Sequence, residues 1–298
     1  MLSGILSPAF LQAACAKKQA GGNVITLIGV KEDPTIYGLS CTGDITIKSV
    51  KNGAPVVETY SNLSETQVTI QADADTTVII RGDVTKYTAG QYQGWGYADG
   101  VCAKQLVFNN SAITSILGVS GVSSYGDTSV VSLLDVNGCI ALTTLNCSYC
   151  SALTALDLSK NTALTELVCS GCSALTALDM SKNTALTTLD CSSCSVLTAI
   201  DLSKNTALTT LWCGSCSALT ALDVSKNTAL TELGCSGCSK LVSISYPATN
   251  EDVATAIAGA ITEADAADGT VYTDSAGAYY STIETAATTK GWTIEQLA

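Results

Sequence analysis

Ten cysteines fall into five C-x-x-C pairs: Cys147 and Cys150, Cys169 and Cys172, Cys191 and Cys194, Cys213 and Cys216, Cys235 and Cys238. Two such pairs about twenty residues apart are the usual signature of a zinc site or a redox centre, because thiolates at that spacing reach one metal ion or each other. The rest of the sequence gives that chemistry little support. The chain has no histidine, which removes the commonest general base, the Ser-His and Cys-His nucleophile pairs and most catalytic zinc sites. The expectation is a protein that is not an enzyme, with no cofactor and no metal.

What positions the cysteines is a repeat. Ten eleven-residue units run from Val131 to Lys240 without insertion or deletion, alternating two templates so that the chain repeats every 22 residues. One template reads L-T-x-L-x-C-x-x-C-S-x, as in Leu142 to Ala152. The other reads L-T-A-L-D-x-S-K-N-T-A, as in Leu153 to Ala163. One such unit cannot bury its apolar face alone, so neighbours must stack and share a continuous core. Leu142, Leu145 and Cys147 then occupy successive inward places, and the first cysteine of each pair stands for a core leucine. The second stands where the other template has Asn161, Asn183, Asn205 and Asn227, and Cys139 takes that asparagine place in the opening unit, Val131 to Ala141. Cysteine and asparagine can both donate a hydrogen bond to backbone at a turn. The pairs therefore read as a structural ladder, with side chains stacked in parallel columns rather than facing one another as disulfides would.

Composition narrows the partners. The net charge is −12, with 13 lysines and a single arginine, Arg81. A phosphate-tracking surface needs clustered basic residues, so nucleic acid is excluded as a partner. No segment approaches the roughly 20 apolar residues of a membrane span. At the N-terminus, Leu11 to Cys15 resembles in outline a lipoprotein cleavage box, but Pro8 interrupts the apolar stretch and no basic residue precedes it. Residues 1–22 are read instead as a helical docking arm, with Ile5, Leu6, Phe10 and Leu11 on its apolar side.

Short alternating runs follow, at Val24 to Val30, Ile45 to Val50, Val56 to Tyr60, Val68 to Ala72 and Val78 to Arg81. Residues 23–60 are expected to form a β cap. Residues 61–130 read as irregular coils, among them Leu106 to Phe108 and Ile113 to Ile116, with an aromatic insertion at 87–101 whose Tyr92, Trp95 and Tyr97 are a further contact candidate. The regular repeats occupy 131–245. Residues 246–298 read as a helical cap: Asn250 starts a helix carrying Val253, Ile257 and Ile261, and a second runs from about Ala276 to Thr289.

Side chains alternate along a strand, so the residues between the inward leucines face solvent. In the cysteine template these are Thr144, Glu166, Thr188, Thr210 and Glu232 at the third place and Asn146, Val168, Asp190, Trp212 and Gly234 at the fifth. In the other template both places are nearly constant: Ala155, Ala177, Ala199 and Ala221, then Asp157, Asp179, Asp201 and Asp223. The variable columns are the expected binding face, with Trp212 as anchor because an exposed indole is costly without a partner. The aspartates read as a solvated row whose repulsion is offset by the neighbouring row Lys160, Lys182, Lys204 and Lys226.

The pattern L-x-x-L-x-L-x-x-(N or C) resembles the leucine-rich repeat. Its form here, L-T-x-L-x-C alternating with L-D-L-S-x-N, is similar to the cysteine-laddered repeats of internalin-like surface proteins and to leucine-rich proteins of Bacteroidetes and their phages. The ending A-A-T-T-K-G-W-T-I, Ala286 to Ile294, resembles that of many such bacterial repeat proteins. The resemblance implies a mainly β, right-handed solenoid of 22-residue coils, and binding or adhesion rather than catalysis. The expected role is a structural or decoration protein on a phage particle. Such a protein belongs to a larger assembly, reaches the outside by cell lysis without an export signal, and contacts a protein or a surface glycan from the virion surface. The alternative is a bacterial cell-surface or lipid-anchored adhesin, for which acylation at Cys15 is the decisive observation.

Overall fold

The computed structural model of the chain describes residues 23–30, 34–88, 91–92, 97–98, 103–119, 131–246, 251–265, 269–273 and 280–296. The expected docking arm with Ile5, Leu6, Phe10 and Leu11 lies outside the described residues, as does Trp95. Gln91–Tyr92 and Tyr97–Ala98 pair as a short antiparallel ribbon.

The repeat meets the sheet once every 22 residues, at the third to fifth places of the cysteine template. Thr144–Asn146, Glu166–Val168, Thr188–Asp190, Thr210–Trp212 and Glu232–Gly234 are three-residue strands, paired parallel and in register. In each, the central leucine is buried and its two neighbours are not, as the strand pleat requires. The other template behaves differently. Its corresponding residues form no strand at Ala155, Ala177 or Ala199, and the bonds joining its coils, Thr176 N–H to Thr154 O and Thr220 N–H to Thr198 O, are stretched to 3.4 Å.

Upstream, the strands are longer and mostly antiparallel. Val24–Val30 lies between Ala103–Asn109 and Thr77–Arg81, and Asp44–Lys51 and Ala54–Ser61 extend that sheet. Leu133–Asp135 adds to Ala103–Asn109 in parallel. Two strands escape the alternation pattern. Thr35–Cys41 is interrupted by Gly38, and Val84–Thr88 carries Lys86. The second is the junction: it takes Thr35–Cys41 antiparallel on one side, and on the other Ser115–Leu117 in parallel, followed by Thr144–Asn146. Its Tyr87 is fully buried and meets Phe108 edge-on, with ring centroids 5.1 Å apart. The strand expected at Val68 to Ala72 is Thr66–Thr69; Ile70 and Ala72 are buried beyond its end.

Downstream, Ser243–Tyr246, Thr270–Thr273 and Thr293–Gln296 continue in parallel from Ala221–Asp223. Helices Glu251–Glu263 and Tyr280–Lys290 connect them, so the last turns replace the cysteine half with a helix. The second helix is described from Tyr280 rather than the expected Ala276, with 274–279 outside the described residues, and it ends at Gly291, whose φ of +85° suits glycine. The first helix buries Val253, Ile257 and Ile261. Its Glu263 closes the last cysteine coil. In the earlier coils the eighth-place N–H of each unit donates to the next coil, as Ser193 N–H does to Gly214 O and Ser215 N–H to Ser236 O, both at 2.7 Å. Gly237 N–H instead donates to Glu263 Oε2 at 2.6 Å. The carboxylate stands in for the carbonyl of a further coil.

Candidate functional site

All twelve described cysteines are buried and unbridged. In the last four pairs the second thiol donates to the carbonyl of the first cysteine one coil back: Cys172 to Cys147 O at 3.2 Å, Cys194 to Cys169 O at 3.3 Å, Cys216 to Cys191 O at 3.2 Å, Cys238 to Cys213 O at 3.2 Å. The asparagines use the same geometry with two protons. Asn183 Nδ2 donates to Leu158 O at 3.2 Å and to Asn161 O at 2.8 Å, and Asn205 and Asn227 repeat the pattern. Cys139, in the asparagine place, donates to Phe108 O at 3.4 Å. The amide Oδ1 of each ladder asparagine is buried and meets no hydrogen-bond donor among the described residues.

The first thiol of each pair, and Cys139, is held in the protonated form. Burial pushes Cys139 and Cys235 up to about 12. Contact with the second cysteine of the next coil, together with burial, holds Cys147, Cys169, Cys191 and Cys213 well above the ordinary thiol range. The two columns thus touch diagonally between coils, where parallel, separate stacking was expected. Metal binding and disulfide exchange need a thiolate, which these surroundings disfavour at the first cysteines, whereas side-chain contact with the first cysteine one coil back holds the second thiols Cys172, Cys216 and Cys238 below the ordinary range. Among the described residues no group of three or more His, Cys, Asp or Glu side chains is arranged to hold a metal ion.

The aspartate row is a turn device rather than one half of a charge ladder. Asp157, Asp179, Asp201 and Asp223 each accept the backbone N–H two residues on, at 2.9 Å. For the first three, that bond is the main influence holding the carboxyl below its usual range, and the neighbouring lysine contributes less. The expected offset by the lysine row is therefore secondary.

On the sheet, all ten outward residues of the cysteine template fall on one face in two straight columns. Thr144, Glu166, Thr188, Thr210 and Glu232 follow one another across neighbouring strands, as do Asn146, Val168, Asp190, Trp212 and Gly234. Two members of the second column also serve their own turns: Asn146 Oδ1 accepts from Ser148 N–H at 3.1 Å, and Asp190 Oδ1 from Ser192 N–H at 3.0 Å. Trp212 is 44% exposed, and its six-membered ring sits over Gly234. A Cβ added at Gly234 would lie 2.4 Å from Trp212 Cε3, so the missing side chain makes room for the indole.

A second exposed aromatic was not expected. Tyr149, at the eighth place, is 47% exposed and adopts a φ of +60°, unusual for a bulky side chain. Its ring lies over Gly171 of the next coil, where an added Cβ would be 2.7 Å from Tyr149 Cδ1. The signal was in the sequence. The same place in the other four units holds Gly171, Ser193, Ser215 and Gly237, and Tyr149 is the one large residue in a column of small ones.

No protein-family model matches the chain, and no curated protein matches it in sequence. Among solved structures it is similar to the functional domain of InlJ from Listeria monocytogenes, described as including a cysteine ladder. Identity there is 26% and the TM-score 0.29, over 58% of this chain and 44% of that one. It is also similar to an internalin, InlF, from Listeria monocytogenes, at 18% identity and a TM-score of 0.28, over 58% of this chain and 51% of that one. The chain spans about half the length of the structures it matches.

Proposed function

We propose that the chain is a non-enzymatic interaction module: a right-handed leucine-rich-repeat solenoid that presents the outer face of its sheet to a protein partner. The strands upstream of Val131 close one end as a β cap, and the segment from 246 onward closes the other as a helical cap. One observation carries the reading. From coil to coil the buried leucines and the cysteine, asparagine and turn ladders hardly change, while the outward strand columns run Asn, Val, Asp, Trp, Gly and Thr, Glu, Thr, Thr, Glu. The outward columns of the other half are the more exposed of the two and yet stay Ala and Asp. Variation is concentrated on the face built on the in-register cysteine-template strands, a rigid base for a contact surface. Surface glycan is the second candidate partner.

Such a face works in an exposed setting, the virion surface by the first reading and a bacterial cell surface by the second. A photo-crosslinking residue at Thr188, on the face, should yield one discrete adduct in the native assembly, and the same residue at Thr176, on the opposite half, should not. Adducts from Thr176 alone would place the contact surface elsewhere.

A further inference from the structure

We propose that Trp212 and the carboxylates around it receive a basic side chain, a guanidinium or ammonium group, of the protein partner. This rests on the reading of the sheet face as the contact surface. Around Trp212, the two outward columns from Thr144 to Gly234 hold Glu166, Asp190 and Glu232 and no lysine or arginine. Asp190 is the in-register neighbour of Trp212 on one side. Glu232 lies on the other, two places before the glycine that the indole covers. Strands stand about 4.8 Å apart, so a cation over the exposed side of the indole lies within reach of both carboxylates as well as of the ring's negative face.

Lys86, on the same sheet three strands before Glu166, is paired with Glu65 at 2.6 Å. Lys160, Lys182, Lys204 and Lys226 belong to the opposite half of each coil. A neutral partner covering this face would desolvate three like charges with nothing to offset them, whereas a basic side chain turns the same charges into attraction. This charge balance selects a cation over a sugar ring, which an indole platform alone could also accept.

The test uses the full chain carrying Trp95→Phe, so that Trp212 is the exposed indole and Trp292, 4% exposed, the buried one. Tri-arginine amide is titrated against the indole fluorescence, with tri-citrulline amide as the uncharged isostere and a neutral cello-oligosaccharide as the sugar probe. Tri-arginine should quench the exposed indole at least tenfold more strongly than tri-citrulline, and added salt should weaken the effect. Asp190→Asn with Glu232→Gln, which keeps the acceptor for Ser192, should weaken binding at least fivefold, and Trp212→Leu should weaken it to a similar degree, read by calorimetry. Trp212 and Glu232 are exposed and Asp190 is half-buried, and unchanged urea midpoints check that the variants fold. Equal binding of tri-citrulline, indifference to the carboxylate variant, or preference for the oligosaccharide would each overturn the proposal. If those results arise while Thr188 still gives its adduct, the basic-side-chain inference fails alone; if Thr188 gives none, the contact face falls with it.

Discussion

Replacing Asn183 by alanine tests the ladder in the middle of the repeats. The amide is fully buried and donates at 3.2 Å to Leu158 O and at 2.8 Å to Asn161 O. Neither carbonyl is orphaned by its loss, because Leu158 O still accepts Asn161 N–H at 3.0 Å and Asn161 O still accepts Leu164 N–H at 3.1 Å. The cost is thus two net hydrogen bonds, about 1 kcal/mol each, and a cavity of an amide's size at about another 1 kcal/mol. Removing the unpartnered Oδ1 offsets part of this, leaving about 2 kcal/mol. Asn183→Cys should behave differently, because a cysteine at the equivalent place keeps one bond, as Cys172 does to Cys147 O at 3.2 Å. Its expected cost is under about 1 kcal/mol by the same reckoning. Urea unfolding followed by circular dichroism reads both, with the slope unchanged if the repeats unfold together. Alanine and cysteine variants equal within error, or an alanine variant as stable as the parent, would refute the equivalence of the two residues.

Alkaline pH should destabilise the chain. Thiols in the unfolded chain ionise from about 8.5, whereas Cys139 and Cys235 keep their protons up to about 12. Below about 8.5 their contribution is complete. Above it the unfolded state binds fewer protons, and each of the two removes about 1.4 kcal/mol per pH unit. Urea midpoints at pH 7 and pH 10 measure the drop; a flat profile would contradict the burial of protonated thiols. Gly171→Ala should cost about 1–2 kcal/mol, because the site has a φ of +72° and the new Cβ would meet Tyr149. Denaturation midpoints check this. Glu263→Ala should raise hydrogen exchange at Gly237 N–H roughly tenfold, an opening cost of about 1.4 kcal/mol, while Glu263→Gln should restore most of the protection.

The repeats were legible because their period is strict: the 22-residue spacing fixed which leucines face inward, and the exchange of Cys139 for asparagine pointed to a shared hydrogen-bonding role. What the spacing left open was which half of each coil carries the strands, since both templates alternate alike. The backbone decides it. The cysteine-template residues pair in register from strand to strand, while the coils of the other template are joined at Thr176 and Thr220 by bonds of 3.4 Å. The upstream strands were less legible because Gly38 and Lys86 interrupt the alternation. Tyr149 stands in a column otherwise of Gly and Ser, residue types that mark a turn. Its left-handed backbone and its position over Gly171 appear only in three dimensions.

Hydroxyl-radical footprinting of the protein bound to the partner proposed for it, set against the isolated chain, is the most direct test of function on the variable sheet face. The expected result is that Trp212 and Tyr149 become protected in the complex while Val196, exposed and away from the strands, reacts as before. Protection of Val196 with Trp212 and Tyr149 unchanged would contradict it.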